Sequence, residues 1–246
     1  MPQTQTTVQT ISQILQELKP SFKPPLKSAS KRWDTDCKHC RSLEECCYTA
    51  HRGFTVITTE RGTALAACPK LTQWRNDKRR ANLQEASNIP ISYRQLTFKD
   101  YRCRSDNLQA FAAATELESL YLWGADGTGK TLLLSLIGNE HIRQGRRVQY
   151  ATTAEMLLEL RYTGDTCEER LKHYQEVPVL LLDDLGLERR SDYGEEQLYM
   201  VLDGRARSCK ITVIGSNLSL ARLSERYNEH MRNKIAQNIG REEHLS

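Results

Sequence analysis

The stretch that most limits the folds open to this chain is residues 119–131, Ser-Leu-Tyr-Leu-Trp-Gly-Ala-Asp-Gly-Thr-Gly-Lys-Thr. Leu120 to Trp123 form a short apolar run suited to a buried strand. Gly124, Gly127 and Gly129 follow at once, and Lys130-Thr131 opens a helix that carries Leu133, Leu134, Ile137 and Ile142 toward a sheet. The pattern G-x-x-x-x-G-K-[ST] over residues 124–131, set between a strand and a helix, reads as a phosphate loop. Its backbone N–H groups, here those of Gly124, Ala125, Asp126, Gly127, Thr128, Gly129, Lys130, Thr131 and Leu132, turn inward around a triphosphate. Lys130 is expected to reach the β and γ oxygens and Thr131 to ligate Mg²⁺, with the partial positive charge of the helix N-terminus added to the same site. ATP and Mg²⁺ are the cofactors this predicts.

The remainder of the chain reads as an alternation of helix and strand from about Asp106, which predicts a parallel sheet covered by helices on both faces. Expected elements are a helix over 107–115, the phosphate-loop strand and its helix ending at Gly145, and a strand at Arg147-Val-Gln-Tyr-Ala. A helix capped by Thr152 or Thr153 and a second short helix ending near Gln175 come next. The strand from Val177, a helix over about 193–207, the strand from Ile211 and two C-terminal helices complete the sequence. With 246 residues there is room for one large α/β core and a small accessory module. The division expected is an N-terminal helix and tether over 1–36, a cysteine-rich hairpin module over 37–74, a basic linker over 75–105 and the main domain over 106–246. No apolar run is long enough to span a membrane and no signal pattern opens the chain, so a cytoplasmic location is expected. The net charge of +4 is mild. The basic stretch 70–104 reads first as a solvated helix face and second as a contact for phosphate backbone.

Two further stretches carry chemistry. Val177 to Asp184 is an apolar strand ending in two carboxylates, and a strand beside the phosphate loop would deliver both to the γ-phosphate. Asp183 is expected to hold the Mg²⁺ shell and Asp184 to orient and polarise the attacking water. Ile211-Thr-Val-Ile-Gly-Ser-Asn is another buried strand with a polar tip, from which Asn217 could contact the γ-phosphate or the water; an Asn cap for the next helix is the alternative. Lys130, Asp183, Asp184 and Asn217 are thus the catalytic candidates.

Five of the eight cysteines lie between 37 and 68. Cys37-Lys-His-Cys40 is a two-residue knuckle and Cys68 closes a hairpin around Glu60-Arg-Gly, the layout of a zinc ribbon. The fourth ligand could be Cys46, Cys47, His39 or His51. Unliganded thiols and a four-cysteine iron–sulfur cluster are the other readings. A hairpin with so few apolar residues cannot bury a core alone, so a metal would fold it.

Gly124-Ala-Asp-Gly-Thr-Gly-Lys-Thr, Leu180-Leu-Leu-Asp-Asp-Leu-Gly and Gly215-Ser-Asn-Leu with Leu223-Ser-Glu-Arg-Tyr together resemble the bacterial helicase-loader ATPases of the DnaC/DnaI type, within the AAA+ class and close to the IstB transposition ATPases. Ile89-Pro-Ile-Ser-Tyr-Arg and Leu96-Thr-Phe-Lys-Asp-Tyr resemble the family's lead-in, so the likeness covers 37 to about 240. It implies an AAA+ P-loop ATPase domain preceded by a small zinc-binding module, with His51 as fourth zinc ligand beside Cys37, Cys40 and Cys68. It also implies ATP bound between subunits of a homo-oligomer and a hexameric replicative DNA helicase as partner; Asp184 is one methylene shorter than the glutamate many related ATPases carry there, so slow hydrolysis is expected, as a switch that releases the loader. Single-stranded DNA would be gripped by the helices over 153–175, where Arg161, Tyr162, Arg170 and Lys172 are the candidate contacts. The chain departs from the family in Met231-Arg-Asn-Lys-Ile, where Lys234 stands in place of an arginine that reaches a neighbour's γ-phosphate. A lysine lacks the planar fork, so either Arg232 substitutes or activation between subunits is weak. No helical lid with an arginine sensor is expected after 246. The alternatives are an IstB-like regulator binding duplex DNA and a transposase, a small-metabolite kinase, and a DNA-binding module with an inactive ATP site.

Overall fold

A computed structural model describes residues 54–59, 62–67, 69–161 and 165–246. The expected N-terminal helix and tether, the zinc candidates Cys37, Cys40, His51 and Cys68, and Tyr162 lie outside the described residues. The chain divides between Lys78 and Arg79 into two units. In the first, β1 (Phe54–Thr59) and β2 (Gly62–Ala67) pair antiparallel from Phe54 opposite Ala67 to Thr59 opposite Gly62. The helix α1 (Pro69–Ala86) starts on a proline, whose fixed φ and missing N–H suit a first helical position.

The second unit is built on five parallel strands, β3 (Leu120–Gly124), β4 (Val148–Thr152), β5 (Val179–Leu185), β6 (Ile211–Ser216) and β7 (Arg241–Leu245), in the order β4-β5-β6-β3-β7. Its helices are α2 (Leu108–Thr115), α3 (Lys130–Arg143), α4 (Thr153–Leu160), α5 (Asp165–Glu176), α6 (Asp192–Arg207), α7 (Leu220–Arg226) and α8 (Glu229–Asn238). Successive residues of β5 serve opposite faces: Leu180 and Leu182 pack with α4, α5, α6 and α8, whereas Val179 and Leu181 pack with α2 and α3. A strand buried on both faces needs an unbroken apolar run, which is why β5 is legible in the sequence.

Two features depart from the sequence reading. The C-terminal residues add a strand, β7, beyond the two expected helices. It is an edge strand in which Glu243 and Leu245 are buried and Arg241, Glu242 and His244 are exposed, so it carries little apolar signal. The second is the segment expected as a linker, which is part of the body from Ser87 onward. Ile89 is fully buried, Phe98 and Tyr101 pack on Phe111, and Asn139 Nδ2 donates to Tyr93 O and Leu96 O at 2.7 and 2.9 Å.

At the opposite end of the sheet from the phosphate loop, Arg205 is fully buried. Its guanidinium donates to Tyr174 O, Val177 O and Ile211 O at 2.7, 2.9 and 2.5 Å, and to Thr212 Oγ1 at 2.9 Å. These carbonyls lie at the end of α5 and the beginnings of β5 and β6, so one side chain fastens three elements.

Candidate active site

The site forms where β3, β5 and β6 end. Gly127 and Gly129 adopt φ of +80° and +96°, which only glycine enters without strain, and a Cβ at either would meet nothing within 4 Å. The loop therefore has open space above it. Gly129 is the N-cap of α3, and Lys130 is buried, its ammonium donating to Gly124 O and Ala125 O at 2.9 Å each. Two of its three donors thus rest on carbonyls of the loop, and the third is left for an anion.

Asp183 is 1 % exposed and heavily bonded. Its Oδ2 accepts from Thr131 Oγ1 at 2.6 Å and from the Tyr150 hydroxyl at 3.0 Å; its Oδ1 accepts from the Asp184 N–H at 3.0 Å. Thr153 Oγ1 donates to the Asp183 carbonyl at 3.1 Å. Gly215 on β6 is required for this approach, since a Cβ there would lie 2.4 Å from Asp183 Oδ1. Pairing of β5 with β6 is interrupted between Leu182 and Leu185, and Asp184 within the irregularity has φ +57°. A bulge of this kind re-aims side chains, and Asp tolerates the left-handed region better than most residues. Burial, then the Asp183 and Asp126 charges, push the Asp184 carboxyl above the usual carboxylate range, partly opposed by Lys130. Burial and Asp183 raise the Tyr150 phenol well above its ordinary value, so it stays a proton donor.

Asn217 lies just beyond β6, and its Nδ2 donates to Asp126 Oδ1 at 2.7 Å while its Oδ1 is buried without a hydrogen-bond partner among the described residues. It is not the helix cap: Ser219 caps α7, accepting from Arg222 N. A threonine hydroxyl beside a buried carboxylate is a hard oxygen donor set, which suits Mg²⁺, and the glycine loop with Lys130 suits a polyphosphate.

The remaining candidates lie elsewhere on this unit. Arg161 is exposed at the end of α4, Arg170 Nη1 donates to Glu159 O at 2.9 Å, and exposed Lys172 lies 3.9 Å from Glu176. On α8, the Lys234 ammonium is 2.9 Å from Asp203 Oδ1, donates to Gln237 at 2.9 Å and stands over the Tyr199 ring. It holds the Asp203 carboxyl below the usual range. Arg232, half-buried, makes no side-chain hydrogen bond or ion pair among the described residues. Among those residues no cluster of three metal-ligating side chains occurs, and no helix is long and apolar enough to cross a membrane. Sequence reasoning missed Tyr150, Gly215 and the Asp126–Asn217 contact, because each depends on which strands are neighbours.

Fold and site together define an α/β P-loop ATP-binding domain. The chain belongs to the IstB-like ATP-binding protein family, which it matches over residues 69–237. It is 28% identical over 240 residues to the phage-like element PBSX protein XkdC of Bacillus subtilis, covering 87% of this chain and 85% of that one. The replicative helicase loader DnaI of Bacillus subtilis is 25% identical over 202 residues, 75% of this chain and 65% of its own. An ATP-binding protein of insertion sequence IS1162 from Pseudomonas fluorescens is 32% identical over 155 residues, 59% of this chain and 66% of its own. Among solved structures, DnaI superposes with a TM-score of 0.58 at 22% identity, covering 67% of this chain and 97% of its own. The DnaC helicase loader gives 0.55 at 26% identity, covering 63% and 98%.

Proposed function

We propose that the protein is an ATPase that hydrolyses slowly and uses nucleotide state as a switch to load a replicative DNA helicase. The observation that carries the ATPase reading is the convergence of Lys130, Thr131, Asp183, Asp184 and Asn217 on the open face of the phosphate loop. Lys130 and the loop amides would hold the triphosphate, and Thr131 and Asp183 would hold Mg²⁺, which supplies charge neutralisation on the phosphates. Asp184, with its raised proton affinity, would orient and polarise the water, and Asn217 would read the third phosphate. Asp184 is one methylene shorter than a glutamate in that role, which suits a slow switch. Asp184→Asn is expected to keep ATP binding and to lower hydrolysis about a hundredfold; unchanged turnover would remove Asp184 from the chemistry.

Of the two candidates for contact across a subunit interface, Arg232 is the better placed, because Lys234 is committed to Asp203. In the same assay Arg232→Ala should retain ATP binding and lose hydrolysis, and an unaltered rate would reject it. The helicase-loader reading is supported by the likeness to loaders. In it the cysteine module holds Zn²⁺ and docks on the helicase, while Arg161, Tyr162, Arg170 and Lys172 contact single-stranded DNA in an ATP-bound oligomer. The likeness to an insertion-sequence protein favours a second reading, a transposition regulator. ATP-dependent binding of duplex DNA in preference to single strands would select it.

A further inference from the structure

Tyr150 comes from β4, beside β5, and its hydroxyl reaches the carboxylate expected to face the metal. Tyr150 is 7 % exposed, and its hydroxyl bonds to Asp183 Oδ2 at 3.0 Å and to no other group among the described residues. A phenylalanine would fill the same volume, and a buried hydroxyl costs stability unless it is bonded, so packing alone gives the hydroxyl no role. The main chain behind the ring is fixed: Tyr150 N–H donates to Ser87 O at 2.7 Å, and Gln149 Nε2 donates to Tyr150 O at 3.0 Å.

A carboxylate offers about four lone-pair positions. On Asp183, Thr131 and Tyr150 take the two on Oδ2, and the Asp184 N–H takes one on Oδ1. Oδ1 also lies close against Gly215, so both oxygens of the carboxylate are held by neighbours. Removing the Tyr150 hydroxyl would free a position on Oδ2 and loosen the carboxylate about its side-chain torsion, with only Thr131 still holding that oxygen.

We propose that Tyr150 is a positioning residue for Mg²⁺, its hydroxyl fixing the Asp183 carboxylate in the orientation that meets Thr131, the other residue expected to hold the cation. This rests on the ATP-binding reading above. Partners that orient a metal's ligands are commonly worth ten- to a hundredfold in metal affinity.

The test is calorimetric titration of the full chain with ATP, in EDTA and across a range of Mg²⁺, for wild type and Tyr150→Phe, with thermal unfolding of both alongside. The variant is expected to melt within a few degrees of wild type and to bind metal-free ATP with unchanged affinity. Its half-saturating Mg²⁺ is expected to rise about tenfold. An unchanged Mg²⁺ requirement, or an equal loss of ATP affinity with and without the metal, overturns the inference while leaving the ATP-binding reading intact. A wild-type chain that binds no ATP in either condition overturns both.

Discussion

His141 is fully buried on α3. Burial and the nearby Arg146 charge hold its imidazole down to about 4. The folded protein therefore keeps His141 neutral, whereas the unfolded chain takes up a proton near the ordinary histidine value of about 6.5. Because the unfolded state binds more protons between these values, this contribution is intact above pH 6.5 and is lost as pH falls toward 4. Denaturant unfolding of the wild type should lose about 2 kcal/mol between pH 7 and pH 5 from this residue. His141→Phe should flatten that dependence, and an equal slope in the variant would count against the assignment. At the same scale, Asp126 places a carboxylate in a loop otherwise built for anions. Its contact with Asn217 gives that carboxylate a partner and orients the amide.

Among the elements, the weight falls on the lower end of the sheet. Arg205→Met would keep much of the side-chain volume but leave the carbonyls of Tyr174, Val177 and Ile211 without their buried donor. A loss of roughly 3–5 kcal/mol is expected, read as a fall in the unfolding midpoint; a change below about 1 kcal/mol would mean that water or neighbouring groups replace the guanidinium. The same contrast of local and distant determinants explains what could be read beforehand. The phosphate loop, a threonine cap for α4 at 152 or 153, which the structure places at Thr152, and the apolar strand, expected from Val177 and found from Val179, are legible because each is decided within a few residues of chain. The edge strand β7 is not, since a half-exposed run of Arg, Glu and His has no strand signature until β3 lies beside it. Residues 87–104 looked like a linker because their charge is visible in sequence and their packing is not. Tyr150 and Gly215 gain their roles from the adjacency of β4, β5 and β6, which no local pattern states.

At the scale of the whole molecule, the nucleotide site built by one chain is proposed to act within an assembly of several. On α8, Lys234 is tied to Asp203 within its own chain, whereas Arg232 makes no side-chain ion pair among the described residues, so the proposed contact across a subunit interface falls to Arg232, two positions from the one the family resemblance points to. The cysteine module and the helicase belong to the same proposal and can be read in one measurement. Native mass spectrometry of the full chain mixed with the replicative helicase of its own cell, with and without ATP and Mg²⁺, tests that claim most directly. A helicase loader should give a complex whose loader occupancy changes with nucleotide, and a free chain carrying the mass of one zinc ion. No complex under any nucleotide condition, together with ATP-dependent capture of duplex DNA, would contradict the loader reading and select the transposition regulator.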